Sequence, residues 1–170
     1  VSFDLDGTLV DSAAEIAEAA NRALDSHGIA RRPAAEIALL IGAGTRELML
    51  KLLARAFLGQ PALAERVQPE RVLADFDRHY AQTTGTSARP YAGAAQTLRA
   101  LREAGVKLAC VTNKELRHTR RLLDGLGLAS AFDLVIGGDS LPEKKPHASV
   151  LRHVAATLGV ATNRCAHLGD

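Results

Sequence analysis

The feature of this sequence that most limits its fold is a run of mostly apolar residues from Val106 to Val111. Consecutive apolar residues without polar alternation are typical of a parallel strand that is covered on both faces. A helical pattern with Leu98 and Leu101 precedes this run and stops at Gly105, and another helical pattern follows it. This alternation of strand and helix predicts an α/β fold with a doubly wound, Rossmann-like parallel sheet.

Other short apolar runs provide the remaining strands of the predicted sheet. Val1 to Leu5 is the first, Phe132 to Ile136 is another, and the last ends at Leu168. A helical pattern over residues 150–158 separates the last two runs. We therefore expect helices on both faces of a sheet whose first strand lies at the start of the sequence.

Between the first strand and Pro90 the sequence predicts helices only. One helical pattern stops at Gly28, a second runs from Thr45 to Gly59, and a third begins at Pro69. This block predicts a helical insertion in the α/β core. The expected domains are an α/β core of residues 1–11 and 90–170 and an inserted helical domain of residues 12–89.

The first helix of the insertion follows a capping-box pattern. Ser12 occupies the N-cap position, and Glu15 stands three residues later. In a capping box the serine side chain accepts a backbone N–H bond in the first turn, and the glutamate accepts one from the serine N–H. We expect both side chains to be used in this way.

Composition excludes several classes of protein. Hydrophobic residues make up 47% of the 170 residues, which allows a sizeable core and opposes disorder. The net charge is only +2, and the basic cluster Arg117 to Arg121 lacks interleaved aromatic residues, so we expect no nucleic-acid partner. No apolar run approaches the roughly 18 residues of a membrane span, and no leader pattern is present, so we expect a cytoplasmic protein without a membrane partner. Cys110 and Cys165 lie in apolar runs and are expected to be buried.

The stretch Asp4-Leu5-Asp6-Gly7-Thr8 follows the first strand and carries the strongest chemical signal. In open α/β sheets, ligands bind at the carboxyl ends of the strands. The side chains of Asp4 and Asp6 point the same way if the strand alternation continues, and Gly7 permits a tight turn. Because neighbouring carboxylates repel each other, a divalent cation is the natural compensation. An acidic turn that merely caps the next helix is the alternative.

Further polar residues follow the later strands in order. Thr112 and Asn113 come after the run that ends at Val111, Lys145 comes after the run that ends at Ile136, and Gly169-Asp170 follows the last strand. Each signal is weak alone, since Thr-Asn can be an ordinary turn and a lysine is usually solvated. Their common position at one edge of the sheet predicts a phosphate and metal site.

This series resembles the four motifs of haloacid dehalogenase-like phosphatases. Asp4 to Ser12 is similar to the first motif, Thr112-Asn113 to the second, Lys145 to the third and Gly169-Asp170 to the fourth. The helical insertion is similar to the small α-helical cap of this family. Within the family, the stretches 41–48 and 137–140 are most similar to bacterial phosphoglycolate phosphatases.

The resemblance implies a Mg²⁺-dependent phosphomonoester hydrolase for a small phosphorylated metabolite, with 2-phosphoglycolate as the expected substrate, acting as a monomer or a homodimer. Asp4 would be the nucleophile that forms an aspartyl-phosphate, and Asp6 would be the general acid and base. The carboxylates of Asp4 and Asp170 and the backbone carbonyl of Asp6 would hold the metal.

The resemblance also implies which residues contact the substrate. Thr112, Asn113 and Lys145 would bind the phosphoryl oxygens. Arg46 begins a cap helix behind the glycine-rich turn 42–44 and is a candidate contact for an acidic substrate group. The alternative interpretation is that Arg46 is an ordinary exposed arginine.

Other functions share these motifs. A sugar-phosphate mutase or another small-metabolite phosphatase has the same core, because the cap selects the substrate. A non-catalytic phospho-aspartate switch is an alternative from another class, which the inserted cap and Asp6 oppose. A catalytically dead interaction protein is opposed by the intact motif residues.

The end of the sequence departs from the family pattern. Relatives continue after the fourth motif with a second acidic residue, a helix and a strand, whereas this sequence stops at Asp170. We therefore expect the C-terminus to be truncated. A second proline that is common after the lysine motif is replaced by Ala148, which we expect to change loop stiffness more than chemistry.

Overall fold

The first of the two units of this chain contains a parallel sheet. The structure, a computed structural model, describes residues 1–169, and its first unit joins Val1–Asp11 to the segment that begins at Arg89. A sheet of order β5-β4-β1-β6 lies in this unit, with parallel pairing throughout, so the predicted α/β class is confirmed. In chain order the strands are β1 (Ser2–Phe3), β2 (Val10–Asp11), β3 (Arg89–Pro90), β4 (Ala109–Val111), β5 (Leu134–Ile136) and β6 (His167–Leu168).

The apolar run that predicted a doubly covered strand forms β4, inside the sheet. Ala109, Cys110 and Val111 are all fully buried. β4 pairs with β1 in the register Ser2↔Ala109 and with β5 in the register Ala109↔Leu134. The strand is shorter than the run, because Leu108 donates its N–H to the Asp133 carboxylate at 2.8 Å instead. The run therefore fixes the position of β4 between two parallel neighbours.

A second, antiparallel strand pair was not predicted. β2 and β3 pair in the register Asp11↔Arg89, and both belong to the first unit. Arg89, the last residue of the insertion expected from the sequence, thus belongs to the first unit. Two-residue strands are too short for a periodic pattern to show them.

The second unit, Ser12–Ala88, is helical, as the sequence predicted. Its second and third predicted helices have the expected starts, at Thr45 and Pro69, whereas the short helices at 34–38 and 62–66 were not predicted. Phe76 and Tyr80 stack with their ring centroids 5.4 Å apart inside the core of this unit. The helices are α1 (Ala13–Ser26), α2 (Ala34–Ala38), α3 (Thr45–Gly59), α4 (Ala62–Arg66) and α5 (Pro69–Thr83).

Helices of the first unit pack with the sheet in a core of aliphatic side chains. They are α6 (Ala94–Glu103), α7 (Leu116–Gly125) and α8 (Ala148–Thr157). One buried cluster joins β4 and β5 to α8 through Ala109, Val111, Ile136, Val150 and Val154. Within residues 1–169, no helix combines the length and the apolar character needed to cross a membrane.

The cysteines differ in their environment. Cys110 is buried in β4, as expected. Cys165 is exposed, so its prediction was wrong. It lies between a short 3₁₀ turn (Thr162–Arg164) and β6, and its neighbours Arg164 and Ala166 are exposed as well, so this part of the chain does not enter the core.

The predicted capping box is wrong, because Glu15 bonds elsewhere. Ser12 is the N-cap of α1, but its side chain makes no cap hydrogen bond. The Glu15 carboxylate is almost fully buried and accepts the backbone N–H groups of Gly85, Ser87 and Ala88 at 2.9, 3.4 and 3.1 Å. One Glu15 oxygen therefore holds the last turn of the second unit against α1.

We predict that Glu15→Ala destabilises the chain by about 3 kcal/mol, because it leaves one buried and two partly buried N–H groups without their charged acceptor. Denaturant unfolding followed by circular dichroism measures this free energy. Glu18→Ala is the matched control on the same helix. Glu18 forms only surface ion pairs with Arg22 and Arg31, so its loss should cost less than about 1 kcal/mol. Equal effects of the two variants would contradict the role given to Glu15.

Candidate active site

Asp4 begins the site at the carboxyl end of β1. Asp4 is only 6% exposed. Its N–H donates to the Leu168 carbonyl at 2.8 Å, and this bond continues the pairing of β1 with β6. One carboxylate oxygen, Oδ1, accepts the Leu5 N–H at 2.8 Å. A buried carboxylate needs compensation for its lost hydration, and this backbone bond provides only part of it.

Lys145 provides the rest of the compensation for Asp4. Its Nζ lies 2.9 Å from Asp4 Oδ2, and both side chains are largely buried. Lys145 stands in the loop between β5 and α8, far along the chain from β1. The structure therefore brings together the first and third predicted motifs, each at the carboxyl end of its strand.

Asp6 has its own cation. Lys114 Nζ lies 2.5 Å from Asp6 Oδ1, and the lysine side chain is 1% exposed. Lys114 stands in the loop between β4 and α7. The two acidic side chains of the first motif thus form separate ion pairs, one with each lysine, and the repulsion expected between them is offset by the protein itself.

Thr112 and Asn113 shape the loop that follows β4. The Thr112 hydroxyl accepts the Lys114 N–H at 3.2 Å, which leaves its own proton to donate to another acceptor. Asn113 Nδ2 donates to the Lys145 carbonyl at 3.1 Å. Asn113 therefore ties the second motif to the main chain of the third. Phosphate binding by these two residues stays a prediction.

The loop after β5 contacts the loop after β4 so closely that only glycine fits. A Cβ atom on Gly138 would lie 2.2 Å from the Asn113 carbonyl oxygen, and one on Gly137 would lie 2.5 Å from the Leu116 nitrogen. At this contact Gly138 donates its N–H to the Lys114 carbonyl at 2.8 Å. Leu116 N–H, at the start of α7, donates to Asp139 Oδ1 at 2.7 Å. The stretch 137–140, which carried part of the subfamily resemblance, thus holds the Thr112–Lys114 loop in place.

The charges of both ion pairs act on the buried thiol of Cys110. Burial is the largest cause that raises the pKa of this thiol, and the carboxylates of Asp4 and Asp6 raise it further. Lys145 and Lys114 oppose this effect. Cys110 is therefore held in its protonated form as a core residue of β4.

His167 of β6 lies beside the same charges. Its Nδ1 is 2.9 Å from the Ser2 hydroxyl. Burial lowers the pKa of His167, and the nearby Lys145 ammonium lowers it further, while Asp4 acts in the opposite direction. The neutral imidazole is therefore favoured in the folded protein.

The donors for a metal ion are only partly described. Asp170 lies outside the described residues. Within residues 1–169 no group of three or more His, Cys, Asp or Glu side chains is placed to hold a metal ion. Gly169 lies against Asp4, since a Cβ atom there would be 3.2 Å from Asp4 Cβ. Asp4 and Asp6 offer hard oxygen donors, which fit Mg²⁺ rather than a softer metal.

Arg46 lies in the second unit, on the first turn of α3. It forms a bidentate ion pair with Glu70 of α5, with distances of 3.0 and 3.2 Å. Both side chains are largely exposed. A contact between Arg46 and a substrate stays a prediction, and the guanidinium would have to share its donors with Glu70 or leave it.

Lys114 and His167 were not assigned a role from the sequence. The signal for Lys114 is its place two residues after Thr112, in a loop at the carboxyl end of a predicted strand. For His167, its position in a predicted strand does not indicate a chemical role. The groups that act on it are the Ser2 hydroxyl of β1 and the Lys145 ammonium, which are distant in sequence.

We predict that Gly138→Ala lowers the melting temperature by about 5 °C or more, because the new methyl group overlaps the Asn113 carbonyl. Thermal unfolding followed by circular dichroism measures the change. Gly125→Ala is the matched control, since a Cβ atom there meets nothing within 4 Å. That variant should leave the melting temperature unchanged or raise it slightly. A tolerated alanine at position 138 would show that the close contact between the two loops is unnecessary.

Comparison with known proteins agrees with this arrangement. A family model described as haloacid dehalogenase-like hydrolase matches residues 1–170. The plasmid-encoded phosphoglycolate phosphatase of Cupriavidus necator is 39% identical over 170 residues, which cover 100% of this chain and 71% of that protein. The phosphoglycolate phosphatase of Neisseria meningitidis is 36% identical, with the same coverage of both proteins.

Solved structures give the same result. The crystal structure of a predicted phosphoglycolate phosphatase from Haemophilus somnus matches with a TM-score of 0.88 and 31% sequence identity. The match covers 99% of this chain and 75% of that chain. The 170 residues thus span between 71% and 75% of the length of these three proteins.

Proposed function

We propose that this chain, which belongs to the haloacid dehalogenase-like hydrolase family, hydrolyses a small phosphate monoester through a phosphoenzyme on Asp4. The observation that carries the proposal is the buried Asp4 carboxylate, paired with Lys145 at the carboxyl end of β1. A carboxylate in this position is a candidate nucleophile, and a lysine beside it can offset the charge of an incoming phosphate.

In the first step an Asp4 oxygen attacks phosphorus while the bond between phosphorus and the ester oxygen breaks. Asp6, in its protonated form, gives its proton to the leaving oxygen. In the second step the Asp6 carboxylate takes a proton from water, and that water attacks the phosphorus of the aspartyl-phosphate. The second step releases inorganic phosphate and restores Asp4. The short separation of Asp4 and Asp6 in sequence allows one substrate to meet both side chains.

Lys145, Thr112 and Asn113 hold the phosphoryl group in this proposal. Lys145 already lies 2.9 Å from the nucleophile, so its ammonium can move its hydrogen bonds to phosphoryl oxygens with little motion. The Thr112 hydroxyl retains a proton to donate. Asn113 fixes the main chain of Lys145 and thereby the direction of the lysine. These contacts favour the negative charge that spreads over the phosphoryl oxygens in the transition state.

A divalent cation completes the proposed site. The carboxylates of Asp4 and Asp170 and the backbone carbonyl of Asp6 would hold Mg²⁺. When bound, the ion supplies positive charge that offsets the repulsion between a phosphate dianion and the Asp4 carboxylate. Hard oxygen donors of this kind are those that Mg²⁺ prefers.

The proposed substrate is 2-phosphoglycolate. Two of the curated relatives are named phosphoglycolate phosphatases and share 39% and 36% of their aligned residues with this chain. The substrate carries a carboxylate besides its phosphate, so a further cationic group is needed to bind it. Arg46 is the candidate from the second unit, in competition with its ion pair to Glu70.

We predict that Asp4→Asn lowers kcat by at least about 10⁴-fold, because an amide is not a nucleophile for phosphorus. Release of inorganic phosphate measures the rate, and circular dichroism checks the fold. Asp25→Asn is a control at an exposed carboxylate on α1, whose ion pair with Arg31 lies on the surface, and it should leave kcat unchanged. An Asp4→Asn protein that turns over at nearly the normal rate would refute the assigned nucleophile.

We also predict that 2-phosphoglycolate is preferred in a panel of small phosphate monoesters, and that a chelator removes the activity. The measurement is kcat/KM for each ester with Mg²⁺ and then with chelator. Added Mg²⁺ should restore the activity of the protein that was treated with chelator. If another ester is preferred, the chemistry stands and the substrate assignment fails. Activity that persists in chelator would contradict the metal requirement.

A further inference from the structure

We propose that Lys114 is a positioning residue for proton transfer, which holds Asp6 Oδ1 so that Asp6 Oδ2 exchanges the proton with the leaving oxygen and with water. This inference rests on the proposed function, in which Asp6 is the general acid and base. In this proposal Lys114 acts on Asp6 and not on the phosphate or the nucleophile. Its effect passes through the direction of the Asp6 carboxyl group.

The burial of Lys114 supports this role. A lysine side chain that is 1% exposed has lost its hydration, which costs several kcal/mol unless a charged partner replaces the water. The Asp6 carboxylate is that partner, with Oδ1 2.5 Å from Nζ. Since leaving Asp6 would cost Lys114 this compensation, the pair is held in one geometry. The carboxyl group is therefore restricted in its rotation about its own axis.

The main chain of Lys114 is fixed from several sides. Its N–H donates to the Thr112 hydroxyl at 3.2 Å. Its carbonyl accepts the Gly138 N–H at 2.8 Å and the Thr119 hydroxyl at 3.3 Å. These partners come from the ends of β4 and β5 and from α7. The ammonium therefore starts from a backbone position that is set by the sheet and not by a mobile loop.

The two lysines of the site have different partners, which separates their tasks. Lys145 bonds to Oδ2 of the nucleophile Asp4, and Lys114 bonds to Oδ1 of Asp6. In the first step the proton moves from Asp6 Oδ2 to the leaving oxygen as the phosphorus–oxygen bond breaks. In the second step the same oxygen takes a proton from water. Proton transfer needs the reacting oxygen within hydrogen-bond reach, so a fixed orientation contributes directly to the rate.

The test compares two esters that differ in how much their leaving group needs a proton. For Lys114→Met, we expect kcat/KM on 2-phosphoglycolate to fall about 100-fold, because its alkoxide leaves poorly without protonation. On p-nitrophenyl phosphate we expect a loss of less than about 5-fold, since p-nitrophenolate leaves without a proton. The ratio kcat/KM reports the steps up to release of the alcohol, so hydrolysis of the phosphoenzyme does not obscure the comparison.

Lys107→Met is the matched control. Lys107 is an exposed lysine shortly before β4, on the same chain segment that leads to Lys114. Its loss should leave kcat/KM on both esters within about twofold of the wild-type values, as expected for a surface substitution. A change in the ratio of the two esters in this control would mean that lysine loss in general, and not the Asp6 pair, alters the selectivity.

Lys114→Arg is the second variant. It tests the role of Lys114 if Lys114→Met is not folded, which is recognised by the absence of cooperative unfolding on heating. The guanidinium keeps the charge but places its donors differently from an ammonium, so we expect the ratio of alkyl to aryl ester to fall about tenfold while the fold is kept. An unchanged ratio in a folded variant would overturn the inference. Equal losses on both esters would also overturn it, since they would assign Lys114 to phosphate binding or folding. A wild-type chain that hydrolyses neither ester would refute the proposed function, and this inference with it.

Discussion

The site depends on one electrostatic constraint, which is that each acidic side chain at the end of β1 has its own lysine, fully buried for Asp6 and largely buried for Asp4. Asp4 pairs with Lys145, and Asp6 pairs with Lys114. The lysines come from the loops after β5 and β4, so neither pair can form unless the parallel sheet has brought these loops to one edge. Misplacing either loop would leave a buried charge unpaired, at a cost of several kcal/mol. The sheet order and the site therefore support each other.

Close packing of the main chain turns this constraint into a fixed geometry. The loops after β4 and β5 approach so nearly that Gly137 and Gly138 have no room for side chains. At this approach Gly138 bonds to the Lys114 carbonyl and Asn113 bonds to the Lys145 carbonyl. Both lysines are thus held through their main chains before their side chains reach the carboxylates. The glycine contacts set the distance between the two loops. The position of each ammonium group therefore depends on the fixed main chain as well as on the long, flexible lysine side chain.

The parts of this structure that could be predicted from the sequence depend on local patterns. The apolar run of β4, the proline that starts α5 and the motif order each lie within a few residues, and the family inferred from the motifs is confirmed by the match over residues 1–170. The parts that could not be predicted depend on distant partners. Lys114 looks like a solvated loop residue until Asp6, 108 positions away, is placed beside it. Glu15 likewise matches a capping box in sequence, while its acceptor role involves Gly85, 70 positions away.

The ion pairs change the reason for which a metal ion is expected. From the sequence, a cation was expected to relieve the repulsion between Asp4 and Asp6, but the two lysines already balance the two carboxylates. These four side chains sum to zero charge, so a phosphate dianion that enters this edge adds negative charge that they do not offset. A divalent cation would supply the missing charge beside Asp4, where the dianion must approach a carboxylate. On this argument the proposed metal requirement arises from the charge of the substrate and not from the repulsion between Asp4 and Asp6.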